Sequence, residues 1–380
     1  MFRQLVSTLV ALAAILILGL AVSTSALSEP PHWGQSPPKP NMPPLLTRLT
    51  GADIEATSRF GSDSTDLMIP FNLPGGNVGF LGGDTFDTAT PGVGNWRSPI
   101  LLRSNQTPVP GKALHFDSAA GLDGYGLAPE IMYNGHKNNG EYTVIPTDGI
   151  SFPETGNVIV SYMSLHSWWP TDDHAWANNY SGLAWSPDGN YFYRIGPTWP
   201  NNPDKNNSPY QVMSMQRDGD FVYIVSVRAG RQPSTDTPMM LQRVSWDNML
   251  DKTAYQCWAG KNVFDNIWSS DYASCSPILQ GSFGEPSLRK LSDGKTWAMS
   301  YLDTSSPESP SIVTRAAASP IGPWSVPKIQ LTWDQNPFLY GGFIHPRSTP
   351  NNLLLMVSTW VPVDSGLAPR YDVSLLKSTV

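Results

Sequence analysis

An all-β fold built from many short strands is what this chain predicts, and three observations carry the prediction. Turn formers are abundant, with 32 glycines and 36 prolines among 380 residues. Short runs of β-branched and aromatic residues recur between them, and only residues 244–252 offer even a short helical candidate. The architectures that accommodate this pattern are a sandwich, a barrel and a propeller.

The clearest strands are residues 157–163, 221–227, 296–301 and 353–360. Each is bounded by a turn: Thr155-Gly156-Asn157, Asp218-Gly219-Asp220, Asp293-Gly294-Lys295 and Pro350-Asn351-Asn352. Two further turns favour the propeller. Trp185-Ser186-Pro187-Asp188-Gly189-Asn190-Tyr191 resembles a degenerate Asp-box, and Ala318-Ser319-Pro320-Ile321-Gly322-Pro323-Trp324-Ser325 resembles a turn common in glycosidase propellers. A propeller would also gather acids that are distant in sequence, because its inner strands converge on one end of a channel.

Ahead of the strands, Arg3 precedes an apolar run over residues 5–22 that ends in Ser23-Thr24-Ser25-Ala26. This predicts a signal peptide over residues 1–26 and an exported or envelope-associated protein, with an uncleaved membrane anchor as the alternative. Residues 27–45 read as a proline-rich linker, which leaves residues 46–380 as one domain. At 40% hydrophobic and 14% charged, that domain has ample material for a core, and disorder is excluded. Net charge of −7, a pI near 5.3 and no basic run exclude nucleic acid and anionic lipid as partners. Cys257 and Cys275, 18 positions apart, suit one disulfide in an exported chain, and two buried thiols also fit.

Chemistry concentrates in Thr65-Asp66-Leu67, Gly83-Asp84-Thr85-Phe86 and Asn95-Trp96-Arg97-Ser98. Glycoside hydrolysis needs one carboxyl group to protonate the leaving oxygen and another to activate water or attack the anomeric carbon. Asp66 and Asp84 are the candidates, set against ordinary turn roles for aspartate. Arg97 either holds a carboxylate ionised through a bidentate contact or clamps two blades together. Glu285 is either a third carboxylate in the site or a scaffold partner for Arg289. His345 either donates to a sugar hydroxyl or satisfies local backbone. Trp168, Trp169 and Trp176, near His166 and His174, can line a glycan groove or pack a blade interface. Asp172-Asp173-His174 lacks calcium-loop spacing, so no metal is expected. Phosphate loops, nucleophile elbows and His-Glu-x-x-His helices are absent from the sequence, and no organic cofactor is expected.

Several of these motifs together resemble the bacterial endo-D-arabinofuranases, five-bladed propellers first catalogued as a domain of unknown function. The likeness spans nearly the whole domain. It rests on the segments already quoted around Asp66, Asp84 and Trp96, and on Ile145-Pro146-Thr147-Asp148-Gly149. It continues through Trp176-Ala177-Asn178-Asn179-Tyr180-Ser181-Gly182-Leu183, Phe283-Gly284-Glu285-Pro286-Ser287-Leu288-Arg289 and Tyr340-Gly341-Gly342-Phe343-Ile344-His345-Pro346. The resemblance implies a five-bladed β-propeller and internal cleavage of α-D-arabinofuranosyl linkages in cell-wall arabinogalactan and lipoarabinomannan by a monomer. It makes Asp66 and Asp84 the catalytic pair, with Trp96, Arg97, Asn179, Tyr180, Glu285, Tyr340 and His345 as substrate contacts. Met68 and Asn336-Pro337-Phe338-Leu339 depart from the family pattern and bear on substrate fit. A non-catalytic carbohydrate-binding propeller is the alternative.

Overall fold

The computed structural model describes residues 46–380 other than 172–173, 234–236, 264 and 307. The expected leader and linker, and the Asp172-Asp173 pair, lie outside the described residues. Five antiparallel sheets form a five-bladed β-propeller. From the channel outward, blade one comprises Ser64–Asn72, Val78–Phe86, Ile100–Ser104 and Ser118–Ala119. Blade two comprises Thr143–Ser151, Val158–Thr171, His174–Ser186 and Thr198–Pro200. Blade three runs through Val212–Asp218, Phe221–Val227, Thr237–Ser245, Gln256–Lys261 and Asn266–Ser269. Blade four comprises Ser287–Lys290, Trp297–Asp303, Ser311–Ala317 and Lys328–Thr332. In blade five, Leu339–Ile344, Leu353–Val361 and Arg370–Ser378 are joined at the outer edge by Leu46–Arg48, with Leu46 opposite Leu376.

Blades pack face against face, so their strands are apolar on both sides rather than on one. In Phe221–Val227 the alternation is explicit. Val222 and Ile224 enter a cluster with Phe152, Ile159 and Leu183 of blade two, while Val225 and Val227 join the main core. The two glycosidase-like turns occupy equivalent places, each linking the third strand of a blade to its outer strand. The Asp-box-like turn is held by its own side chains: Gly189 N–H donates to Ser186 Oγ at 2.9 Å and Asn190 N–H to Asp188 Oδ1 at 2.9 Å.

The helical expectation for residues 244–252 is corrected. Strand Thr237–Ser245 runs into it, and only short 3₁₀ turns follow, at Trp246–Asn248 and Lys252–Ala254. Asp251 caps the second turn by accepting the Thr253 N–H, which is the local alternative that aspartate offers to a continuous helix. Cys257 and Cys275 are bonded, with Cα atoms 5.7 Å apart.

Across the channel, Arg289 of blade four meets Asp148 of blade two through Nη2 to Oδ1 at 2.7 Å and Nη1 to Oδ2 at 2.8 Å. Blade three adds the Ser214 hydroxyl at 2.5 Å and the Met215 N–H at 2.8 Å, both donating to Asp148 Oδ2. Arg289 Nη2 also donates to the Pro70 carbonyl of blade one at 2.8 Å. One buried ion pair therefore ties four blades together.

Candidate active site

The floor of the site is a local irregularity in blade one. Thr65 pairs with Thr85 and Leu67 with Gly82, so Asp66 on the innermost strand faces both Gly83 and Asp84 on the next. This is a bulge, which re-aims side chains at a sheet end. A second register shift follows between Leu67 and Ile69, where Leu67 and Met68 take left-handed φ values of 58° and 45°. Such conformations cost free energy in branched or bulky residues and cluster at functional sites. Met68 is buried in the core, so its departure from the family pattern is a packing matter rather than a contact with substrate. A side chain at Gly83 would collide with the Asp66 carboxyl group, so only glycine lets the two strands present both acids here.

The two acids share a blade rather than coming from the inner strands of successive blades. Asp66 is 6% exposed, and Tyr340 of blade five donates its hydroxyl to Asp66 Oδ2 at 2.9 Å. Its Oδ1 has no hydrogen-bond partner among the described residues. Asp84 is placed by a bridge in which Thr85 and Arg97 exchange backbone hydrogen bonds of 2.9 and 3.0 Å. That bridge brings Trp96 alongside, and its indole Nε1 donates to Asp84 Oδ1 at 2.7 Å while the Thr143 hydroxyl donates at 3.4 Å.

Neither acid forms an ion pair among the described residues. Burial, then the neighbouring Asp84 charge, pushes the Asp66 pKa up to about 7 against the pull of the Tyr371 and Tyr340 hydroxyls. Burial likewise raises Asp84, but Trp96 and Thr143 restrain it at about 6. Facing each other, the two carboxyl groups hold one proton between them more readily than two charges, and Asp66 is the one raised further. This division suits a general acid working with a base or nucleophile.

Above the acids lies a cleft of about 600 Å³ to which all five blades contribute. Blade two supplies Trp168, Trp169 and Trp176 from its two longest strands; the Trp169 ring is 59% exposed at the cleft. Trp360, Tyr340 and Tyr371 line it from blade five. Glu285 reaches the cleft too, and its partner is Arg231, whose Nε lies 3.1 Å from both carboxylate oxygens, rather than Arg289, which the channel ion pair engages. The Arg231 guanidinium sits 5.0 Å from the Trp176 ring and 4.7 Å from the Tyr340 ring.

Four expected substrate contacts lie elsewhere. Arg97 donates to the carbonyls of Ala128, at 2.9 Å, and Gly61, acting as a clamp rather than holding a catalytic carboxylate. Successive residues of an extended chain face opposite ways, so Trp96 in the cleft sends Arg97 out of it. His345 is fully buried against Phe80, five residues along the same chain from Tyr340 and thus about 16 Å toward the other end of the channel. Burial lowers its pKa to about 3, leaving a neutral core histidine. Asn179 spends its amide on the Gly140 carbonyl at 2.8 Å, and the Tyr180 hydroxyl accepts from Arg194, which is itself paired with Glu141. Neither lines the cleft.

Sequence reasoning missed Arg231, Tyr142, Thr143, Trp360 and Tyr371. The polar Arg228-Ala229-Gly230-Arg231 stretch just after a strand was a signal for the first. None of the others stood out from ordinary strand composition.

Residues 52–377 match the family described as "Domain of unknown function (DUF4185)". The chain belongs to that family. It is 48% identical over 342 residues to notoamide biosynthesis cluster protein J' of Aspergillus versicolor, covering 87% of this chain and 91% of that one. An uncharacterised 35.9 kDa protein of Mycolicibacterium smegmatis is 24% identical over 349 residues, covering 84% and 95%. Among solved structures, a putative hydrolase from Bacteroides ovatus superposes with a TM-score of 0.56 at 14% identity, covering 84% of this chain and 87% of that one. An exo-β-1,3-galactanase from Phanerochaete chrysosporium gives 0.51 at 12% identity, covering 88% of this chain and 63% of the enzyme. At these identities the likeness is one of fold: DUF4185 shares the propeller architecture of glycoside hydrolases.

Proposed function

We propose that this DUF4185 chain is a glycoside hydrolase in which Asp66 protonates the leaving oxygen and Asp84 acts as base or nucleophile. The observation that carries this reading is the pair of buried carboxyl groups, without an ion pair among the described residues, on the floor of an aromatic-lined cleft. Such a pair gains nothing for the fold by staying unpaired, whereas proton transfer to a glycosidic oxygen requires it. The Asp66 carboxyl group lines the cleft and is held there by the Tyr340 hydroxyl on Oδ2. Tyr340 and Tyr371, whose hydroxyls burial holds protonated, retain donors around it as the charge changes.

An open cleft with Trp168, Trp169 and Trp360 in its walls suits a chain of sugars more than a single one. On the family resemblance, the substrate is an α-D-arabinofuranosyl polymer cut internally by an exported enzyme. A second reading draws on the fungal relatives named for notoamide biosynthesis, and has the same acids act on a glycosylated small molecule. The deciding experiment incubates the purified protein with arabinogalactan, lipoarabinomannan and a panel of aryl glycosides, then sizes the products. Mixed arabinofuranose oligosaccharides support the polymer reading, and turnover of aryl glycosides alone supports the second. Binding without cleavage in every case replaces both with a carbohydrate-binding propeller.

A further inference from the structure

Beside Asp84 stands a second, smaller constellation that the reaction as described does not use. His136 Nε2 lies 2.6 Å from Glu130 Oε1, and the same oxygen accepts the Ser98 N–H at 2.8 Å. A carboxylate only accepts, so Nε2 carries the hydrogen and Nδ1 is left to take up a further proton. The imidazole meets the Trp96 indole edge-on at 4.7 Å, and that indole is the donor to Asp84.

The loop around His136 is built to hold it there. Both His136 and Lys137 adopt left-handed φ values, of 46° and 69°. Asn134 accepts the His136 N–H at 3.0 Å and donates to the Ser98 carbonyl at 2.7 Å, while Lys137 N–H donates to the Tyr142 carbonyl at 3.0 Å. Strained backbone pinned from both sides is the signature of a residue whose position matters.

We propose that the Glu130–His136 pair is a positioning device that keeps the Trp96 indole on Asp84 and so makes Asp84 the charged member of the acid pair. It acts through Trp96 and through the field of the imidazole. This rests on the role given to Asp84 above and extends it. Asp84 is faced by Asp66 from the innermost strand, by Ser98, by Thr143 from blade two and by Tyr371 from blade five. On the far side of Trp96, Lys137 lies 5.6 Å from the indole and 5.0 Å from the Tyr142 ring. Among the described residues Glu130 bonds His136 and Ser98, so the imidazole is the group it holds against the indole.

The test follows the Asp84 side-chain carboxyl by ¹³C NMR across pH, with the signal identified by its loss in Asp84→Asn. No substrate is needed, so the result stands apart from whether the protein cleaves glycans. In His136→Phe the ring remains but both nitrogens are lost, and the Asp84 midpoint moves upward by roughly one pH unit. Glu130→Gln moves it the same way by less, and in both variants hydrogen exchange at the Trp96 indole N–H quickens. If glycan cleavage is also observed, the acidic limb of kcat/KM shifts with the NMR midpoint. Unchanged Asp84 titration and indole exchange in folded variants overturn the proposal. Should His136→Phe melt early, Glu130→Gln, which keeps the imidazole and removes only its carboxylate partner, still decides.

Discussion

Asp148 and Asp66 both project from innermost strands, of blades two and one, yet their surroundings differ in kind. Asp148 takes two hydrogen bonds from Arg289, one from Ser214 and one from the Met215 backbone. Asp66 takes one from Tyr340 and faces a second carboxyl group across the bulge. The first arrangement satisfies a buried charge and uses it to join blades. The second leaves the charge unsatisfied, so that holding or releasing a proton is close to balanced near neutral pH. What separates the two carboxyl groups is the company of a cation, since both are buried.

Breaking the structural centre has the largest expected effect. Asp148→Ala strands the Arg289 guanidinium in the channel and should lower unfolding free energy by about 3–5 kcal/mol, read from denaturant titration. A loss below about 1 kcal/mol would show that the channel tolerates a lone cation, and the contrast between the centres would fail. Asp66→Asn and Asp84→Asn should instead fold normally and lose roughly 10²–10⁴-fold in turnover on whichever glycan the protein cleaves, while still binding it. Near wild-type rates in both variants would return the acids to scaffold.

The same pair carries a pH signature. An acid whose folded pKa is raised stabilises the fold fully below its unfolded value near 3.8, and this stabilisation is lost as pH rises through the folded value. Wild-type melting temperature should therefore fall relative to the two Asn variants between pH 4 and 7, the window set by values of about 6 and 7. Activity should peak between those values, where Asp84 is ionised and Asp66 protonated, and decline on either side. A broad plateau from pH 5 to 9 would remove this assignment.

Glu285 sharpens the comparison because it lines the cleft and yet has a cation. Glu285→Gln should cost less turnover than either Asp variant, with an accompanying loss of stability as Arg231 loses its partner. The smallest effect belongs to Asp372, buried with neither carboxylate oxygen hydrogen-bonded and its pKa raised first by burial. Asp372→Asn should raise stability at neutral pH by about 1 kcal/mol, measured by thermal melting, and leave turnover unchanged. Unchanged turnover would show that lacking a cation does not by itself mark a carboxyl for chemistry, and lost turnover would add Asp372 to the site.

The parts of this site that were legible in sequence are those made locally. Asp66, Asp84 and Trp96 sit in adjoining strand-and-turn segments, and the three clustered tryptophans of blade two announce an aromatic wall. What escaped is what the ring closure assembles: Tyr340 meets Asp66 across 274 positions, and Arg231 finds Glu285 across 54. No periodicity within a strand encodes such a meeting. Arg97 and His345 failed differently, because alternation and strand rise already placed them away from the cleft and motif membership outweighed that geometry. Blade number entered through family resemblance, since the individual blades are too dissimilar for their repeats to be counted.

Leu46–Arg48 completes the fifth blade by pairing with Arg370–Ser378, so the first described strand has no partner until the last one exists. At ribosomal rates of about 5–20 residues per second, the interval between them is roughly 15–65 s. Throughout it, Asp66 lacks Tyr340 and Tyr371 and stands in water as an ordinary carboxylate. Its raised proton affinity is thus a property acquired at closure, because burial is its first cause. Any agent that unlatches the fifth blade would return Asp66 to water before disturbing the other four.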